Sequence, residues 1–284
     1  MMSRVISRVM ALLPLFAVAH AMTASRGEQP VSRGFATTSD VTMRLYVPSG
    51  RLTVETWERD SVHLEGQLGA NASLFGGGAR THIKLGIEAR SNADSTLPQA
   101  TVRVRVPRRA RLWIKMIDGT LQVSGTREEL EAYTVRGSMI VRDVAGNTSL
   151  ESIDAPVAVT GASGNLRVRG SRGIVSLTDV QATMSVSTVS GDVTVVRSSA
   201  EGRVETIGGR IAVDGVAAGG TLELQSHNGA LDIRVPGARI PLLELSSRSG
   251  IVSGKTLRGS ATHGHIIARS FKGNVTARVS DGTR

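Results

Sequence analysis

The chain has 284 residues, a formal net charge of +10, no cysteine and only 3% aromatic residues. That length is ample for a large core, and without cysteine the fold has no disulfide and no thiol to carry a lipid. So few aromatics argue against base stacking, and hence against nucleic acid as a partner.

Arg4 and Arg8 precede VMALLPLFAVA (Val9 to Ala19), which ends in Ala19-His20-Ala21. A basic start, a short apolar stretch and a small-x-small site predict a signal peptide over residues 1–21. An uncleaved N-terminal anchor is the competing reading. Cleavage removes two arginines and no acid, which lowers the net charge to +8. No later segment is apolar and long enough to span a bilayer, so the mature chain is expected to lack a transmembrane segment. Export places it in the periplasm, at the cell surface or outside the cell. A basic exported protein suits acidic envelope polymers, phospholipid head groups or other envelope proteins. Solubility alone would explain the same charge.

Residues 22–39 form a polar lead-in. From Asp40 the text alternates as VTMRLYV, RLTVETW and SVHLEGQL, with turn residues between the runs. THIKLGIEAR and ATVRVRVP follow, so 40–110 reads as an N-terminal antiparallel β-region of about five strands. Helical periodicity is missing throughout.

A repeat begins after Pro107. Gly119, Gly137, Ala155, Gly173, Gly191 and Gly209 are spaced 18 residues apart. Two residues later stand Leu121, Met139, Val157, Val175, Val193 and Ile211, and four residues later Val123, Val141, Val159, Leu177, Val195 and Val213. Five residues before the glycine stand Ile114, Ala132, Leu150, Val168, Val186 and Val204, and seven before it Leu112, Leu130, Thr148, Leu166, Met184 and Gly202. A short fixed period with alternation inside it predicts a parallel β-solenoid (β-helix) of about 18-residue coils over residues 111–279, with 280–284 as a tail. After Gly209 the period loosens to Gly229 and Gly250, and SATHGHIIARS and NVTARVS are expected to close the stack. The glycine is expected to serve as a turn residue with positive φ. Before it, Asp118, Arg136, Asp154 and Arg172 alternate in sign, as stacked ion pairs would.

No catalytic or cofactor fingerprint is present. The chain has no G-x-S-x-G elbow, no phosphate-binding loop and no dinucleotide motif. His263 and His265 form the one close histidine pair, without Cys, Asp or Glu nearby to complete a metal set, and His63, His82 and His227 are scattered. The residues thus assign no catalytic, cofactor-binding or metal site. Glu131 and Glu151 could share an outer face, and Trp113 and Tyr133 could offer a small sugar-stacking platform. A mixed-charge solvated sheet accounts for the same residues.

YVPSGRLTVETWERDSVHLEG (46–66), VRVRVPRRARLWIKMIDGTLQVSG (102–125) and the repeated T-V-x-G-x-V-x-V units resemble the bacterial putative-adhesin family of β-strand-repeat proteins, a domain of unknown function. The resemblance covers about residues 40–280. It implies a β-solenoid at the cell envelope in a non-catalytic role, and it supplies no site residues. The other readings are a β-helical glycan lyase or hydrolase and a periplasmic sensory or scaffolding domain.

Overall fold

The computed structural model describes residues 27–91, 96–198, 201–216 and 219–280. The predicted signal peptide and residues 281–284 of the predicted tail lie outside them. Every regular element among the described residues is a strand, so the protein is all-β.

The first six strands are β1 (Gln29–Ala36), β2 (Thr42–Trp57), β3 (Ser61–Leu68), β4 (Ala72–Ala79), β5 (His82–Ala89) and β6 (Gln99–Pro107). The 18-residue repeat carries β7 (Arg111–Ser124), β8 (Glu129–Thr134), β9 (Ser138–Val144), β10 (Asn147–Ser152) and β11 (Val157–Gly170). It continues through β12 (Val175–Thr178), β13 (Gln181–Thr188), β14 (Val193–Val196), β15 (Gly202–Thr206) and β16 (Ile211–Asp214). The loosened part holds β17 (Thr221–Ser226), β18 (Leu231–Pro236), β19 (Pro241–Ser247), β20 (Val252–Ser253), β21 (Ser260–Ser270) and β22 (Val275–Ser280).

Within the repeat each strand pairs in parallel with its counterpart 18 residues on: Leu112 with Leu130, Leu150 with Val168, Val175 with Val193, and Val193 with Ile211. One coil therefore contributes two strands to two faces, and its inward side chains stack on those of the next coil. The four columns read from the sequence, three of them wholly apolar, are the interior. Apart from Gly202, every residue in them is at most 4% exposed. Val144, Ala162 and Val180, seven residues after the glycine position, form a further buried column.

The N-terminal region is mixed, not antiparallel as its alternating text suggested. β1 with β3, β3 with β6, and β4 with β5 are antiparallel, but β2 runs parallel to β5 and β6 on one side and to β7 on the other. β2 is itself a coil of the stack: Gly50 lies against Gly119, and Leu52 and Val54 pair with Leu121 and Val123. Alternation reports which face a side chain takes but not the direction of its neighbour.

The last coils are also ordered differently from their sequence. β21 pairs with β17 on one side and with β19 on the other, and β22 likewise lies between β18 and β20. The chain skips one layer, builds the outermost coil from β19 and β20, and returns to fill the gap. Exposure follows the order. Ile266, Ala268 and Val275, enclosed between two layers, have no exposure, whereas Leu243, Leu245 and Val252 on the outermost coil stay only partly buried.

The glycine column has a different cause from the one expected. Of its members within the repeat, Gly119 and Gly137 have positive φ, while Gly173, Gly191 and Gly209 do not. What they share is a close approach along the stack. A Cβ on Gly191 would lie 2.1 Å from the Gly173 carbonyl oxygen, and one on Gly209 would lie 2.2 Å from that of Gly191. The same contact orders the final layers, with Gly229 on Gly209, Gly273 on Gly229 and Gly250 on Gly273. The left-handed turn belongs to the opposite corner, six residues later, where Gly125, Asp143, Gly161, Asp179, Arg197 and Gly215 all have φ between 49° and 84°. Glycine and aspartate tolerate that region well.

Hydroxyls satisfy the backbone at the glycine corner. Three residues before the glycine, Thr188 Oγ1 donates to the Gly191 carbonyl at 2.8 Å, and Thr206 Oγ1 accepts from Gly209 N at 3.0 Å. In the last two layers Ser270 and Ser247 accept from the Gly273 and Gly250 amides at 2.8 and 2.9 Å. A buried backbone group without such a partner would be costly.

Candidate interaction surfaces

The outer side of the β7–β8–β10 face carries Trp113, Lys115, Glu131, Tyr133, Ser149 and Glu151, which line an open hollow of about 280 Å³. Parallel register sets their neighbours. Trp113 is abreast of Glu131, Lys115 of Tyr133, Glu131 of Ser149, and Tyr133 of Glu151. Glu131 and Glu151 thus lie on neighbouring coils of one face, but two residues out of step. Lys115 Nζ sits 5.5 Å from the centre of the Tyr133 ring, a cation–π distance that occupies one side of the tyrosine. The structure brings the two aromatics and two carboxylates to one face without lining up either pair.

Elsewhere acids meet arginines from neighbouring coils. Arg136 lies 3.3 Å from Asp118, and Arg172 binds Asp154 through two hydrogen bonds of 2.5 Å, as the alternating column predicted. A third ladder pair, which the sequence reading missed, links Asp179 and Arg197 at 2.8 and 2.9 Å. Its signal was available, since both residues lie in the 18-residue column of left-handed turns. The arginine partners hold the carboxyls of Asp154 and Asp179 below the ordinary value of 3.8, chiefly by hydrogen bonding and further by Coulomb attraction. Arg210 with Asp232 at 2.6 Å and Arg234 with Asp214 at 3.6 Å continue the pattern.

The histidines do not converge. His265 Nε2 lies 3.0 Å from a Glu244 carboxylate oxygen, His63 Nε2 lies 3.2 Å from Ser32 Oγ, and His82 Nδ1 lies 2.9 Å from Thr81 Oγ1. Among the described residues no three His, Asp or Glu side chains form a group that could hold a metal ion.

A second hollow, about 620 Å³, runs beside the glycine corner across the later coils. One wall is Val189, Ile207, His227 and Phe271, and the other includes Glu205, Gln225 and Arg269. His227 and Phe271 stack with ring centres 4.8 Å apart and an 8° interplanar angle, and the Arg248 guanidinium caps Phe271 at 5.4 Å. No helix among the described residues is long and apolar enough to cross a membrane, which says nothing of strands.

Parallel coils, buried columns and long charged outer faces define an all-β strand-repeat protein. More narrowly, the chain belongs to the Toastrack DUF4097 family, whose model matches residues 37–282. This agrees with the resemblance carried by 46–66 and 102–125. No curated protein matches the chain. Among solved structures it is similar to a putative cell adhesion protein from Clostridium sporogenes, at 10% identity and a TM-score of 0.27, covering 89% of this chain and 100% of that one. A putative adhesin from Bacteroides fragilis gives 8% identity and a TM-score of 0.39, covering 88% and 97%. A putative lipid binding protein from Parabacteroides distasonis gives 12% and 0.31, covering 88% and 96%.

Proposed function

We propose that the protein is an exported, non-catalytic β-solenoid that presents long regular faces to a partner at the cell envelope, with the 40–110 region capping one end. The observation that carries this reading is the use made of the charged side chains. Asp118, Asp154, Asp179, Asp214 and Asp232 each pair with an arginine on another coil, so these acids brace the stack and are not gathered around a reaction centre. Glycosidic cleavage needs two carboxylates set across a bond. Glu131 and Glu151 face outward from one sheet surface and are out of step.

The signal-peptide pattern and the envelope-type resemblance support export, and the net charge of +8 left after residues 1–21 favours acidic envelope polymers or membranes as partners. The test is binding of purified residues 22–284 to glycan and lipid arrays at low and high salt. Binding that weakens with salt is the expected result. No binding on any array, or sugar release from a glycan substrate, would overturn the reading.

A further inference from the structure

Nine large apolar side chains are exposed among the described residues, and six of them stand at the glycine corner. A solvated β-surface scatters such residues singly. Here they follow the stack. Ile153, Ile174 and Val189 belong to the coils of Ala155, Gly173 and Gly191, and Ile207 to that of Gly209. His227 follows on the Gly229 layer, then Phe271 on the inserted Gly273 layer and Ile251 on the outermost Gly250 layer. Val189, Ile207, His227 and Phe271, each two residues before its glycine, form one row over four successive layers. Ile153 holds the same register two layers earlier, with Ser171 between, and Ile174 and Ile251, one residue past their glycines, stand across the turn from that row. At about 4.8 Å per layer the ridge is about 30 Å long. Ile207 and Ile251 are 55% and 70% exposed, so this is an outward ridge and not the rim of the core.

Cations border its distal end. Lys272 follows Phe271 directly and makes no ion pair among the described residues, Arg248 lies over the Phe271 ring, and Arg269 lines the adjoining hollow. We propose that this ridge is a membrane-docking edge that lies along an anionic bilayer surface, with the apolar side chains entering the interface and Lys272 and Arg248 meeting lipid phosphates. The proposal rests on the envelope reading above and narrows it to one partner. An apolar row flanked by lysine and arginine is what interfacial binding to anionic lipid requires. A second copy is the competing occupant: a two-fold axis along the ridge would bring the same cations face to face, an antiparallel pair would set them at opposite ends, and the vesicle assay separates a dimer from membrane binding.

The test is co-sedimentation with vesicles of phosphatidylcholine alone or mixed with phosphatidylglycerol. The full chain and residues 22–284 serve as parallel backgrounds, so that Val9 to Ala19 cannot supply the binding. Binding to the anionic vesicles should exceed binding to phosphatidylcholine. The triple variant Ile207→Ser/Ile251→Ser/Phe271→Ser should lose at least about tenfold in affinity. Lys272→Ala should lose about fivefold on the anionic vesicles only. Circular dichroism reports whether the triple variant is folded, and Ile251→Ser alone, at the most exposed site, carries the test if it is not.

Vesicle binding that survives the serine substitutions overturns the proposal, as does a dimer that the same substitutions dissolve while vesicles go unbound. Glycan-array binding without vesicle binding removes the ridge proposal and leaves the envelope reading standing. Loss of both removes both.

Discussion

Gly191→Ala isolates the contact that sets the spacing of the coils. The new methyl carbon would stand 2.1 Å from the Gly173 carbonyl oxygen and 2.9 Å from its carbon, where ordinary contact is 3.4–4 Å. The obstacle is backbone, so no rotamer change relieves it. The coil must move off the one below by more than an ångström, against the hydrogen bond from Gly191 N to the Ser171 carbonyl that joins the two coils. Overpacking of this kind costs about 1–3 kcal/mol, and weakening a buried hydrogen bond adds about 1 kcal/mol. A total of about 2–4 kcal/mol corresponds to a fall of several degrees in Tm for a chain of this size. Gly77→Ala is the control, since nothing lies within 4 Å of its added Cβ and its φ is not positive. There the substitution should be neutral or stabilise by about 0.4–1 kcal/mol through the unfolded state. Thermal and urea unfolding followed by circular dichroism compares the two. Equal Tm values would refute the claim that glycine is required here for close approach.

Other consequences are open to the same measurements. Val193→Asp buries a carboxylate among fully enclosed valines and should abolish cooperative folding, whereas Thr194→Asp, one residue on and outward-facing, should be mild; equal effects would refute the assigned register. Thr188→Val removes the hydroxyl that donates to Gly191 and should cost about 1 kcal/mol, while Thr148→Val removes a buried hydroxyl with no protein partner and should be neutral or stabilising. The lowered carboxyls of Asp154 and Asp179 contribute stability that is present above the ordinary value of 3.8 and lost as pH falls through their folded values. Tm should therefore drop on acidification below about pH 4, and Asp154→Asn with Asp179→Asn should flatten that limb. An unchanged acid limb in the double variant would show that other carboxylates dominate it.

The sequence by itself determined the interior of this protein. Alternation of period two decides locally which side chains turn inward, and its recurrence at 18 residues decides which lie above one another. Val123, Val141 and Val159 could therefore be assigned to one buried column without coordinates, and Asp154 and Arg172 to one stacked pair. Only the tertiary structure decided what depends on which layers become neighbours. β21 and β22 take the slot between β17 and β18 on one side and β19 and β20 on the other, an order of distant segments that no local period records. The glycines of the repeat are required by the carbonyl one layer below, which is a contact between coils and not a property of the turn. The apolar ridge became visible for the same reason. Ile207, His227 and Phe271 are unremarkable in sequence order and form one row only when the Gly273 layer is set directly on that of Gly229.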